Sequence, residues 1–428
     1  MTTEGMDRRG FPRTAAIGLG AAASLKATRS SAHHLNQTAL PAPSSQRVVI
    51  IGGGFGGNFT AVTLRRLAPA AEIVLIERHP FFISGPASME YVFGLTSLDE
   101  ISRGYRALMA QGIKVLKAEV EGVETKDNLV FTSMGKLAYT HLVVTTGTRL
   151  AYEEIAGLRE HPEENTHPYD KSTIVDMRRR LDAYRGGTIL LGVPPAPFKC
   201  PPGPYEIALL MAERIKRQNL GGKVLLVDAN GAPQPPGVAQ GFRDAISITW
   251  ADQIEYVTNQ KITAVDPGAK TVTTDKGQSY TYDLLSVIPP NKAATFIREA
   301  GLGDPFVEVD PATFRSTKVE NAWAVGDAAR TPFTKSAYVA SISGKIAAHS
   351  IAAALGASPP SPPDLHNICY PYVGSDRTLM VRADWTITME DGKPKVTAKG
   401  AADNTPNSTG VQLRKAWERG LWREMFGA

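Results

Sequence analysis

The chain has 428 residues, 43% hydrophobic and 21% charged, which is enough apolar material for two or three buried cores and excludes a disordered or fibrous protein. Its formal charge of +5 is uneven: Arg8, Arg9, Arg13, Lys26 and Arg29 against Glu4 and Asp7 place +3 of it in residues 1–32, so the remainder gives no electrostatic case for nucleic acid or a polybasic membrane contact. The only cysteines, Cys200 and Cys369, lie far apart, which excludes a metal-ligand spacing and a dense disulfide framework and leaves at most one long-range bridge.

The N-terminus reads MDRRGFPRTAAIGLGAAASLKATRSSA: twin arginines, Phe11, a short Ala/Gly-rich apolar run, then small residues at Ser30, Ser31 and Ala32. In that order these features look like a twin-arginine export signal over 1–32; the alternative is a disordered arm. Export of an already folded chain suits a protein that takes up its cofactor in the cytoplasm, so the expected location is periplasmic and oxidising. The Pro- and Ser-rich residues 33–46 read as a linker. No stretch is long and apolar enough for a transmembrane helix.

From Arg47 the sequence RVVIIGGGFGGNFTAVTLRRLAPAAEIVLIERH predicts an apolar strand, a glycine turn, a helix and a second strand ending in an acid. Gly52, Gly54 and Gly57 fit G-x-G-x-x-G, and Glu77 follows where a carboxylate accepts from a ribose hydroxyl. The first glycine allows the tight turn, the second lets backbone approach a pyrophosphate, and the third lets the helix pack closely. Residues 47–155 are therefore expected to form the first part of a dinucleotide-binding domain. Its second part, 286–356, holds the strand ending in Gly326-Asp327 and a long Ala-rich helix. Together with YTHLVVTTGTRL, which carries Thr146 and Gly147, it resembles the flavin segments of flavoproteins with two dinucleotide-binding domains. That resemblance implies FAD, with Asp327 on the ribitol chain; the simpler role for Asp327 is a helix cap.

Between these parts, residues 156–285 predict a second Rossmann-like unit with the strand GGTILLG, the helix YEIALLMAERIKRQ and the strand GKVLLVDAN. Where a nicotinamide-binding unit would carry glycines, this one carries PPAPFKCPPGP. Proline has no amide proton to offer a phosphate, so no NAD(P)H site is expected. A Pro-rich linker leads into residues 357–428, read as a small C-terminal α+β domain with strands in RTLMVRADWTITMED and KPKVTAKG. Its terminal helix, with Val411, Trp417, Leu421 and Trp422, packs on its own domain or presents an aromatic face to a flavin or partner. The fold class is α/β: two Rossmann-like dinucleotide-binding-type domains, the FAD domain discontinuous, plus the C-terminal unit.

From the residues alone, Cys200 and Cys369 form a passive disulfide, remain buried thiols, or make a redox pair facing the flavin. The segments PPAPFKCPPGPYE, VIPPNKAA, TKSAYVASISGKIAA and NICYPYV strongly resemble the flavoprotein subunit of flavocytochrome c sulfide dehydrogenase, over about Arg47 to Phe426. Sulfide:quinone oxidoreductases and disulfide-reductase flavoproteins are wider relatives. The resemblance implies sulfide oxidation through a Cys200–Cys369 redox disulfide, with Glu206 moving protons; its plain alternative is an exposed glutamate at a helix start. It also places Phe55, Arg78, Val120, Lys335 and Tyr338 at the FAD. The implied acceptor is a c-type cytochrome on another polypeptide, since this chain has no C-x-x-C-H haem sequence. Members of that family can hold FAD by a cysteine where Gly85 stands here, so the flavin is expected to be non-covalent. A membrane-surface sulfide:quinone oxidoreductase, and a non-catalytic flavoprotein that enhances a sulfur-oxidising complex, are the competing functions.

Overall fold

The computed structural model describes residues 46–427; the export signal and nearly all of the lead-in lie outside the described residues. Strand β1 (Arg47–Ile51) is apolar after its first residue and buried throughout, as a central parallel strand covered on both faces must be. It turns into α1 (Phe55–Leu67), β2 (Glu72–Glu77), α2 (Gly85–Val92), β3 (Lys114–Lys117) and β4 (His141–Val144). Gly52 makes the turn with φ +106°, and a Cβ there would lie 2.7 Å from the Thr145 carbonyl oxygen. A Cβ on Gly57 would overlap the Gly52 carbonyl, so only glycine lets α1 start this close to β1.

After β4 the chain leaves this sheet and builds a second one from β5 (Gly186–Val193), α3 (Gly203–Arg217), β6 (Gly221–Asp228), β7 (Ile254–Val257) and β8 (Leu284–Val287). The strand order is β7-β6-β5-β8 with every pair parallel. Its alternating side chains feed two cores: Ile189, Leu191 and Leu226 face α3, while Leu190, Leu225 and Val227 meet Ile262 and Val265. The chain then returns. β9 (Ala322–Ala324) pairs beside β4 and completes a parallel sheet of order β9-β4-β1-β2-β3, and α4 (Ala337–Ala354) joins α1 over the same core.

The C-terminal segment forms β10 (His366–Cys369), β11 (Tyr372–Gly374), β12 (Arg377–Glu390), β13 (Lys393–Asn407) and α5 (Thr409–Phe426). β10, β11 and β13 all pair antiparallel with β12. The sequence offered α5 as a helix packed on its own domain or presenting an aromatic face elsewhere; it packs on β12 of its own segment and also reaches the first core. Trp422 and Phe426 lie 5.6 and 5.5 Å from Phe82, which in turn meets Phe55 at 5.0 Å. Leu421 and Met425 join the first core, while Tyr372, Val373, Leu379 and Val411 join that of the second unit. The segment's buried side chains are thus divided between the other two units. Its periodicity showed which face is apolar, but not what that face covers. Among the described residues, no helix is long and apolar enough to cross a membrane.

Because Trp422 seals α5 onto the first core, Trp422→Ala should lower unfolding stability by about 3–5 kcal/mol. Chemical denaturation followed by fluorescence would read this as an earlier midpoint; an unchanged midpoint would mean that α5 is not part of that core.

Candidate functional site

Three buried oxygens on the segments around the glycine turn are unpartnered. Asn58 Oδ1, Thr146 Oγ1 and Asp327 Oδ1 have no hydrogen-bond partner, although the other faces of these segments are satisfied. Buried polar atoms are ordinarily paired, so three orphans on three converging segments mark where a polar ligand lies. Gly54 and Gly147 add open backbone, with nothing within 4 Å of where a Cβ would stand. Asp327 sits inside a short 3-10 turn, and the long helix α4 is capped by Ser336, whose Oγ accepts from Val339 N at 3.1 Å, which removes the helix-cap role. Burial raises its pKa and Lys335 opposes the rise.

Glu77 is 8% exposed and already fastens the turn: Oε2 accepts from Gly53 N at 2.7 Å and Oε1 from His79 N at 2.8 Å. Each oxygen keeps a second lone pair for a ribose hydroxyl. Gly53 O accepts from Asn58 Nδ2 at 3.0 Å and Tyr105 OH at 2.9 Å, so Tyr105 and Asn58 shape the turn. Neither was singled out in the sequence, because a motif of glycines says nothing about its buttresses. Phe55 opens α1 beneath the turn and is buried. Arg78 lies at the exposed rim with Glu119, Nη1 to Oε1 3.3 Å, next to Val120. Tyr338 OH meets His366 Nε2 at 2.8 Å, and its ring stacks on Trp417 at 6.1 Å. Gly85 starts α2 and has open space around its Cβ position.

Cys200 stands at the end of the proline loop with φ +50°, a left-handed conformation that costs a non-glycine residue about 1–2 kcal/mol. Three hydrogen bonds hold it there: its N–H donates to Lys335 O at 2.7 Å, and its carbonyl accepts from Gly203 N at 2.9 Å and Tyr169 OH at 2.8 Å. Lys335 Nζ donates to Asp327 O at 2.7 Å, so one residue links the cysteine loop to the orphaned aspartate. Cys369 ends β10, brought in from the C-terminal segment.

Glu206 sits in the first turn of α3 and is 1% exposed, so it is not the exposed helix-start glutamate. Its Oε1 accepts from Tyr372 N at 2.9 Å and from Arg414 Nη1 at 3.2 Å. Arg414 also donates to Tyr370 O at 3.0 Å, the residue after Cys369. Burial pushes the Cys369 thiol up to about 12, and Glu206 adds to the rise. Burial, then Glu206, then Cys369 push the Cys200 thiol well above its usual range. The two cysteines are therefore within electrostatic reach of one another and of one carboxylate. No bond joins the two sulfurs in the structure.

The second unit repeats the acid-ended strand but not the open site. Asp228, at the end of β6, is 0% exposed. Its Oδ2 accepts from Tyr205 OH and Tyr256 OH, both at 2.7 Å, and its Oδ1 from Asn230 N and Nδ2, both at 2.8 Å. All four acceptor positions of this carboxylate are occupied from within.

Two family models match the chain. "Sulfide dehydrogenase [flavocytochrome c] flavoprotein chain, central" matches residues 174–289 and "Pyridine nucleotide-disulphide oxidoreductase" matches residues 30–181. The mitochondrial sulfide:quinone oxidoreductase of Mus musculus is 23% identical over 363 residues, 81% of this chain and 79% of that one. The sulfide dehydrogenase [flavocytochrome c] flavoprotein chain of Chlorobaculum thiosulfatiphilum is 46% identical over 44 residues, 10% of this chain and 92% of that sequence. The crystal structure of the sulfide:quinone oxidoreductase of Aquifex aeolicus superposes with a TM-score of 0.72 at 20% identity, covering 89% of this chain and 92% of that one. The cofactor is FAD, and the open glycine turn with its three orphaned oxygens fits it.

Removing the Asp327 carboxylate should weaken FAD retention roughly 10- to 100-fold, the worth of one hydrogen bond to a charged group. Flavin release from Asp327→Ala during ultrafiltration measures this; retention equal to the unsubstituted protein would take Asp327 out of the FAD site.

A two-sheet α/β fold with an FAD cradle, a pyridine nucleotide-disulphide oxidoreductase match at its start, a central match to the flavocytochrome c sulfide dehydrogenase flavoprotein chain and a 46% identical relative of that name lead to one conclusion: the chain belongs to the sulfide-oxidising flavoprotein superfamily of flavocytochrome c sulfide dehydrogenases and sulfide:quinone oxidoreductases.

Proposed function

We propose that this chain oxidises sulfide with Cys200 and Cys369 as the reacting sulfurs. The observation that carries this reading is that both cysteines, from separate units, flank the buried Glu206 carboxylate: Glu206 lies in the first turn of the helix that Cys200 leads into, and its partner Arg414 also bonds the carbonyl of Tyr370, next to Cys369. In the oxidised pair, hydrosulfide attacks one sulfur. The S–S bond breaks, a persulfide forms on the attacked cysteine, and the other leaves as a thiolate carrying the electron pair. Glu206 takes up the hydrosulfide proton or returns one to the thiolate. The left-handed Cys200 and its three hydrogen bonds keep that sulfur from retracting during the exchange. Bound FAD supplies a two-electron acceptor for the thiolate and releases electrons singly. Asn58, Thr146, Asp327, Glu77 and the turn at Gly54 hold it, without a covalent link because Gly85 offers no sulfur. The saturated Asp228 and the proline loop leave no place for NAD(P)H in the second unit.

The proposed acceptor is a c-type cytochrome on a separate chain, met in the periplasm after twin-arginine export. Quinone is the second reading, favoured by the names of the longer relatives. Cys200→Ser and Cys369→Ser should each keep FAD and lose sulfide-dependent flavin reduction by at least about 100-fold, as removal of a nucleophile does. With the unsubstituted enzyme, sulfide should reduce cytochrome c and leave a soluble ubiquinone analogue oxidised. Mutants that bleach at the parental rate would refute the sulfur chemistry, and turnover with quinone alone would replace the acceptor.

Acid precipitation should leave the yellow cofactor in the supernatant. Flavin fixed to the denatured chain would contradict non-covalent binding.

A further inference from the structure

One buried cation serves two buried carboxylates beside the cysteines. Arg414, on α5, is 5% exposed, and its guanidinium donates from Nε to Glu90 Oε1 at 3.0 Å and from Nη1 to Glu206 Oε1 at 3.2 Å. Glu90 comes from α2 and Glu206 from α3, and they are 3% and 1% exposed. Two further donors go to backbone: Nη1 to Tyr370 O at 3.0 Å and Nη2 to Pro86 O at 2.9 Å. Tyr372 closes the cluster from β11. Its OH donates to Glu90 Oε1 at 3.1 Å, its N–H to Glu206 Oε1 at 2.9 Å, and its ring lies 4.6 Å from Arg414 Cζ.

We propose that Arg414 is a positioning residue for the sulfur chemistry: divided between Glu90 and Glu206, it compensates only one of the two carboxylates fully and makes Glu206 the proton carrier beside the thiols. This rests on the reading of Cys200 and Cys369 as the reacting sulfurs. A single guanidinium cannot neutralise two desolvated carboxylates, and an uncompensated buried charge takes up a proton instead. Glu90 receives the shorter of the two guanidinium contacts and a phenol hydroxyl as well. Glu206 is left with the longer contact and one backbone amide. The groups facing Glu206 are Arg414, Glu90 and Tyr372, with the two thiols and Tyr169 on the cysteine side. Burial and then Glu90 raise the Glu206 pKa, Arg414 and the Tyr372 amide oppose them, and the balance is upward. The proton on Glu206 and those on the thiols are therefore exchanged as a set.

The test uses FAD-loaded Glu90→Gln, Arg414→Gln and Arg414→Lys. The protonated-carboxyl infrared band that vanishes in Glu206→Gln reports Glu206 without any sulfide present. Removing the like charge in Glu90→Gln should move its titration midpoint down by roughly 1–3 pH units, and removing the cation in Arg414→Gln should move it up by a similar amount. Arg414→Lys, which keeps the charge, should stay near the parent. The pH profile of flavin reduction by sulfide should follow the same shifts. If Arg414→Gln does not fold, near-isosteric Glu90→Gln decides alone. A midpoint unmoved in Glu90→Gln, or moved in the same direction by both substitutions, overturns the proposal. Infrared shifts with a fixed kinetic profile overturn its link to sulfur chemistry. An unsubstituted enzyme that does not react with sulfide overturns instead the reading on which it rests.

Discussion

The Arg414 guanidinium is the contact on which the arrangement of the three units depends. It reaches from the last helix into a seam where α2 of the FAD unit, α3 of the second unit and the turn after Cys369 meet, and it bonds to all of them. A buried ion cluster of this kind adds little net stability compared with an apolar seam, but removing one member strands the others at about 3–5 kcal/mol. Its effect is to set register. Ser84 Oγ and Glu418, one turn further along α5, extend the same polar seam, and burial raises the Glu418 pKa. The apolar side of α5 is then free to cover Phe82 with Trp422 and Phe426. Charge chooses where the helix lies, and aromatic burial holds it there.

That seam delivers Cys369 to Cys200, and the proline loop keeps Cys200 waiting. Prolines fix φ on either side of the cysteine segment, so little of the left-handed strain can relax through neighbouring residues. The Cys200 N–H donates to the Lys335 carbonyl, and the Lys335 ammonium donates to the Asp327 carbonyl, so one residue ties this strained cysteine to the turn that holds Asp327. The cysteine loop and the Asp327 turn are therefore coupled through Lys335 rather than merely facing each other. The second Rossmann-like unit serves as the frame for this: its acid is saturated by two tyrosines and an asparagine, and its first turn has become the cysteine loop.

The strand, glycine turn, helix and acid from Arg47 to Glu77 were legible because each step has a local physical cause, and the parallel sheet followed from unbroken apolar runs. The saturation of Asp228 was not legible, although the proline loop beside it was, since Tyr205, Tyr256 and Asn230 meet it only in three dimensions. Cys200 and Cys369 stood out by rarity and by the resemblance of their segments, whereas the buried charge around them did not. Arg414, Glu90 and Tyr105 carried no sequence signal. Arg414 reads as one more basic residue on an amphipathic helix, and only tertiary packing turns it inward. The division of the C-terminal core between two other units was hidden for the same reason.

In the proposed function the defining chemistry lies between the sulfurs of Cys200 and Cys369. The measurement that tests it most directly is peptide mapping by mass spectrometry of the oxidised, FAD-loaded enzyme, trapped with an alkylating agent after one equivalent of sulfide. The expected result is one additional sulfur on the peptide of Cys200 or Cys369, appearing together with flavin bleaching. Bleached flavin with neither cysteine carrying the extra sulfur would contradict the role given to the pair.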